Sequence, residues 1–354
     1  MGWCSKNLSI LQGMNVKVLK GTVSVTQTQP EKTSAWWFPR TVTTPVRVLA
    51  WASLVLQVVL IGTGGAVRLT ASGLGCPTWP QCTDESFVTT PELGIHGIIE
   101  FSNRMLTFVL SVVVILVFLI VLRMRKSRPD LFVLTLLQGL SIPFQAVLGG
   151  ITVLTGLNPY VVGSHFLVSI LLVILTTHLV YRVYNGRRQA VRIVPWWYSA
   201  LGIVTCVFVG LTVILGVLTT GAGPHAGDNS NAKALAPRNG LDTVTLEHVH
   251  SIPAYIVFGL TVLLVIAAFV VGRSPQWRCV RFYSVALLGV EFVQIAVGIT
   301  QSRTGLPIEL VNIHLVLAAI LVSAVTALMM SLRTPQGVSG SGATVANESA
   351  SVAG

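Results

Sequence analysis

LEHVHSIPAYIVFGLTVLLVIAAFVVGR, residues 246–273, decides how the chain is read. After two histidines it runs without a charge from Ser251 to Gly272. A helix across the apolar core of a bilayer needs about 20 such residues. The stretch lacks the strict alternation of a barrel strand and is too long to be one. Working outward from this span, placed at 248–271, seven further stretches have the same character: 47–67, 95–122, 131–153, 161–181, 197–219, 280–301 and 310–332. Of the 354 residues, 53% are hydrophobic and 10% charged, where a soluble domain carries about 25% charged residues. So little polar surface cannot cover a water-soluble globule of this size, which excludes a cytosolic enzyme, a nucleic-acid binder and a disordered chain. The expected fold is an all-α integral membrane protein with eight transmembrane helices.

The net charge of +11 gains meaning once the charges are placed. Clusters follow the second span (Arg123, Arg125, Lys126, Arg128), the fourth (Arg182, Arg187, Arg188, Arg192) and the sixth (Arg273, Arg278, Arg281). With the N-terminal segment and Arg333, one side holds 18 of the 23 basic residues. Basic loops stay in the cytoplasm. Both termini are therefore expected there, in a multi-pass protein of the cell membrane. The lipid bilayer, and no nucleic acid, is the expected surrounding. No compact apolar core precedes a small-residue cleavage site in the first 45 residues, so they do not read as a signal peptide.

The two halves repeat. Adding 149 carries Gln145 to Gln294, Gly149 to Gly298, Thr155 to Thr304, Gly156 to Gly305, Leu157 to Leu306 and His165 to His314, without a gap. Adding 147 carries Glu100 to Glu247 and Asn103 to His250. Four spans per unit is even, so both units share an orientation. The expected division is a cytoplasmic segment 1–46, an N-terminal four-helix bundle 47–184, a linker 185–196, a C-terminal four-helix bundle 197–333, and a disordered cytoplasmic tail 334–354.

His165, His250 and His314 open the fourth, sixth and eighth spans, within about two turns of the outer face. Ionisable residues in a membrane face a bundle interior or a partner. Imidazoles on two neighbouring helices can grip heme iron between them. His250 and His314 make one such pair, and Asn103 and His165 stand at the equivalent places. Helix capping or an interhelical hydrogen bond is the plainer alternative. Glu100 and Glu247 each lie three residues before these positions, on the same helical face. A carboxylate there can orient a ligand, move a proton or balance charge. Cys76 and Cys82, in CPTWPQC of the first external loop, are expected to form a disulfide in an oxidising setting. Whether it is a staple or a redox-active bond stays open.

GGAVRLTASGLGCPTWPQC (64–82), IEFSNR (99–104), GSHF (163–166), LEHVH (246–250) and VNIH (311–314) together resemble the heme A synthase family, over about residues 47–332. The resemblance implies an oxidoreductase that converts a methyl group of heme O to a formyl group by successive hydroxylations, giving heme A for the terminal cytochrome oxidase. It implies heme b between His250 and His314. The substrate heme O would sit in the half with Glu100 and His165, and Cys76 and Cys82 would assist the chemistry. Heme O synthase and an electron acceptor in the membrane are the implied partners. The second span of the family usually has histidine where Asn103 stands. His96, two turns further out, is a candidate substitute ligand, and Arg104 a candidate partner for a heme propionate. Two other classes fit parts of the pattern. A di-heme b-type cytochrome passing electrons from quinol would use the same histidines. A transporter would suit the parallel repeat, but its site would lie near the midplane, not at the outer face.

Overall fold

The computed structural model describes residues 14–19, 22–27, 41–186, 190–225 and 237–335. Eight helices long and apolar enough to cross a membrane make up nearly all of it. They are α1 (Thr44–Leu69), α2 (Gly94–Leu122), α3 (Pro129–Leu154), α4 (Pro159–Asn185), α5 (Trp196–Ala222), α6 (Thr243–Val270), α7 (Arg278–Arg303) and α8 (Ile308–Ser331). The chain is an all-α, multi-pass membrane protein. Within 44–185, α1 packs on α2 and α4, and α3 on α2 and α4. Within 196–331, α6 packs on α5 and α7, and α8 on α7 and more lightly on α5. The two sets meet where α8 lies against α1 and α4, and α4 against α5.

Side-chain distribution follows the solvent. Phe108, Leu140, Leu171, Val207 and Phe292 point outward, each more than half exposed, as a lipid-facing surface requires. Small and polar groups turn inward, since lipid gives helices no hydrophobic reason to associate and close packing and hydrogen bonds must hold them. Gln138 bonds Ser53 between α3 and α1. Thr177 donates to Ser323 at 2.8 Å between α4 and α8, and Thr261 to Glu291 at 2.7 Å between α6 and α7. That last bond is the helix-to-helix contact a carboxyl deep in a span calls for. The α1–α8 crossing depends on small residues. A methyl group on Gly65 would stand 2.5 Å from Asn312 Oδ1 and 3.0 Å from Leu315 Cδ1. Gly65→Ala is therefore expected to lower stability by about 1–3 kcal/mol through overpacking. Gly64→Ala, whose methyl would meet nothing nearer than 4.0 Å, is expected to leave the melting midpoint in detergent unchanged.

The turns repeat as the sequence does. Gly156 and Leu157 after α3 have φ of 59° and 60°, and Gly305 and Leu306 after α7 have 79° and 61°. Leu157 N–H donates to Thr152 O, and Leu306 N–H to Gln301 O, both at 2.8 Å. Leucine rarely adopts this left-handed backbone, so its use twice at matched positions marks one duplicated turn. Pro159 opens α4 and Pro307 precedes α8; each fixes a backbone suited to a helix start. The helices extend a few residues beyond the expected spans, mostly through such caps.

Two short strand pairs lie outside the helices. β1 (Met14–Leu19) pairs antiparallel with β2 (Thr22–Gln27). β3 (Ala190–Arg192) pairs with β4 (Arg333–Pro335). Through the second pair, the backbone of Thr334 and Pro335, the first residues of the expected tail, pairs with the linker after α4. Residues 336–354 lie outside the described residues.

Candidate heme-binding sites

His250 is the eighth residue of α6 and His314 the seventh of α8, so the two imidazoles sit at matched depth. Their ring centres are 6.3 Å apart, with the planes at 74°. A metal about 2 Å from the near nitrogen of each ring, each nitrogen roughly 1 Å from its ring centre, separates the centres by about 6 Å. The observed spacing therefore fits one iron between the rings. Among the described residues no group of three or more His, Cys, Asp or Glu could hold a bare ion. His250 and His314 would leave most of a metal's coordination to other donors, which suits an iron that brings its own, as in a heme. His250 Nδ1 lies 3.0 Å from Thr212 O. Donation there leaves the lone pair on Nε2, the arrangement found for metal-binding histidines.

Neighbouring helices leave room for these rings. A methyl group on Gly216 of α5 would stand 2.9 Å from His250 Cε1, and one on Gly298 of α7 would stand 3.2 Å from His314 Cε1. Gln294 Nε2 donates to His314 O at 3.1 Å. The first half repeats this frame. His165 is the seventh residue of α4. A methyl group on Gly149 would stand 3.3 Å from its Cε1, and Gln145 Nε2 donates to His165 O at 3.4 Å and to Ser169 Oγ at 2.7 Å. Asn103 of α2 accepts a hydrogen bond at Oδ1 from Thr63 Oγ1 at 2.7 Å.

A loop of the first half lies beside this frame. Cys76 and Cys82 form a disulfide with a Cα–Cα distance of 4.4 Å. Glu100 is only 6% exposed. Its Oε2 accepts from Cys76 N–H at 2.7 Å, and its Oε1 pairs with Arg104 at 2.6 Å. Arg104 also donates to Gln81 O at 3.2 Å and to Thr78 O at 3.2 Å. Arg104, the candidate partner for a propionate, is oriented here by Glu100 and by these loop carbonyls. His96 likewise turns to the loop: its Nδ1 lies 2.9 Å from Ser72 Oγ. The matched Glu247 is more open and bonds only Ser302. Glu100 and Glu247 share a place in the repeat but not a setting.

Trp79, inside the disulfide loop, is packed on α3. A methyl group on Gly150, next to Gly149, would collide with the Trp79 ring. The loop thus leans on the same turn of α3 that His165 faces. Gly150→Val is expected to push Trp79 off the helix and to raise alkylation of Cys76 and Cys82 after mild reduction severalfold, measured by mass shift.

Sequence reasoning left Trp79, Thr63, Arg68 and His225 without a role. Arg68 donates to Thr220 O and His225 O, both at 3.0 Å, and His225 Nε2 lies 2.9 Å from Leu306 O. Together they clasp the outer ends of α1, α5 and α7. Only the basic side chain at a helix end hinted at this use of Arg68. His248 is exposed and bonds its own helix at Val244 O, 2.8 Å away.

A family model described as cytochrome oxidase assembly protein matches residues 47–326. The chain is similar to the heme A synthase of Bacillus pumilus, 36% identical over 146 residues, or 40% of this chain and 46% of that one. The heme A synthase of Listeria welshimeri is 25% identical over 283 residues, covering 77% of this chain and 89% of the relative. That of Shouchella clausii is 30% identical over 168 residues, covering 46% and 55%. The chain spans about half the length of the Bacillus and Shouchella relatives and most of the Listeria one.

Proposed function

The chain belongs to the cytochrome oxidase assembly protein family, and from that premise we propose that it is a heme A synthase, oxidising a methyl group of heme O to a formyl group for the terminal oxidase. The observation that carries the reading is the unequal pair of sites in one duplicated frame. One half offers two facing imidazoles; the other offers one imidazole, Asn103, and a buried carboxylate tied to a disulfide loop.

The half 197–333 is the cofactor half. His250 and His314 would hold heme b, with Thr212 fixing the His250 tautomer and Gln294 the His314 backbone. Heme b bound there would supply a one-electron relay between the substrate half and a membrane electron acceptor. The half 47–184 is the substrate half. His165 would hold the iron of heme O, and the loop 76–82, locked by Glu100 and Arg104, would close the site from outside. Glu100 is the group placed to balance charge or take a proton at the reacting methyl, one turn outward from Asn103. We assign His96 and Arg104 to anchoring that loop. The disulfide loop and the heme sites lie on the extracytoplasmic side, with both termini in the cytoplasm, as the basic loops require. Heme O synthase and a membrane electron acceptor are the partners this chemistry calls for.

Purified protein given heme O and an oxidant is expected to yield hydroxylated and then formylated heme by mass spectrometry. Absence of both products, with cellular heme A intact after deletion of the gene, overturns the proposal.

A further inference from the structure

The two heme frames differ at one decisive place. Gly149, Gln145 and His165 in the first half reproduce Gly298, Gln294 and His314 in the second, down to the glycine against the ring and the glutamine on the histidine carbonyl. Opposite them the second half presents His250, while the first presents Asn103. The amide oxygen of Asn103 carries the side chain's only lone pairs, and it already accepts the Thr63 hydroxyl at 2.7 Å. The amide nitrogen is a donor and cannot ligate iron, and the one lone pair left on the oxygen is a far poorer iron ligand than an imidazole nitrogen. His96 stands seven residues earlier on α2, about 10 Å further along the helix, and its ring is held by Ser72 at 2.9 Å.

We infer that a heme seated in the first half is held by protein from one side only, through His165, and that its other axial position faces the Asn103 amide and stays open to a small exogenous ligand. The inference rests on the functional reading above and sharpens it: Asn103 sets the coordination of the substrate while leaving the cofactor site untouched. A single imidazole with a hydrogen-bond donor across the ring favours binding of small ligands over plain electron transfer. Thr63 acts as the positioning residue that keeps the amide nitrogen free.

The test is spectroscopic. Full-length protein carrying its own heme b is loaded with heme O, and its ferric spin state and the response of its ferrous form to carbon monoxide are recorded. The expected result is a low-spin component that ignores carbon monoxide, and a high-spin component, equal to the bound heme O, that binds it. Asn103→His is expected to convert the second component to low spin and to weaken its carbon monoxide binding at least tenfold. Thr63→Val is expected to keep the high-spin form while weakening carbon monoxide binding severalfold. Heme O bound in wild-type protein entirely as a low-spin, unreactive species overturns the inference and leaves the functional reading standing. Failure to bind heme O at all overturns both. The wild-type spectrum decides the matter even where a variant does not fold.

Discussion

His314→Ala is expected to remove heme b from the purified protein, with the extracted heme b falling at least tenfold per chain. His314 and His250 have ring centres 6.3 Å apart, and neither helix offers a second imidazole at that depth. His248, the nearest other histidine on α6, is turned to Val244 O. His250→Ala is expected to weaken heme b binding and to turn whatever heme b remains high-spin, since only His314 would then hold it. Gln294→Ala, which frees the His314 carbonyl, is expected to cost less, about 10–100-fold in affinity, as outer partners of a metal ligand usually do. Gly298→Val should act like removal of the ligand, since even a methyl there would stand 3.2 Å from the ring. An undiminished heme b content in the His314→Ala protein would show that heme b is held elsewhere.

The second large effect is expected at Glu100. Glu100→Gln preserves an oxygen for Cys76 N–H but removes the charge. It should lower the rate of methyl oxidation by about 10²–10⁴-fold, the range for a group acting on protons, while the heme b spectrum stays as in the wild type. Glu100→Ala goes further. It leaves Arg104 without its 2.6 Å partner and Cys76 N–H without its acceptor. Removing one member of a buried ion pair costs about 3–5 kcal/mol, discounted here because the Arg104 side chain is 20% exposed. That variant should both lose activity and release the loop 76–82 to alkylation. Glu247→Gln, at the matched but open place, is expected to change neither readout. Equal loss in the two glutamine variants would remove the case for a special role of Glu100.

Much of this was legible in the sequence, and the reason is periodicity and duplication. Apolar runs longer than a bilayer core identify spans regardless of packing. The gapless register from Gln145 to His165 already implied that two turns would share one unusual backbone, which Leu157 and Leu306 do. The depth of His250 and His314 followed from their place in their spans. What stayed hidden depends on which helix faces rotate toward one another. Nothing in the spacing of Arg104 says that it donates to carbonyls of the disulfide loop. Trp79 reads as an ordinary loop aromatic until α3 places a glycine beneath it. His225 gained a partner only because α5 and α7 end at one height. The strand formed by Thr334 and Pro335 needed a distant linker that no local pattern reveals.

Mass analysis of the porphyrins extracted from the purified full-length chain tests the central assignment most directly. Heme b accompanied by heme O, its hydroxylated forms or heme A is the expected content, one porphyrin for each unequal half. Two equivalents of heme b, with no derivative of heme O, would contradict it and make the chain a di-heme electron carrier.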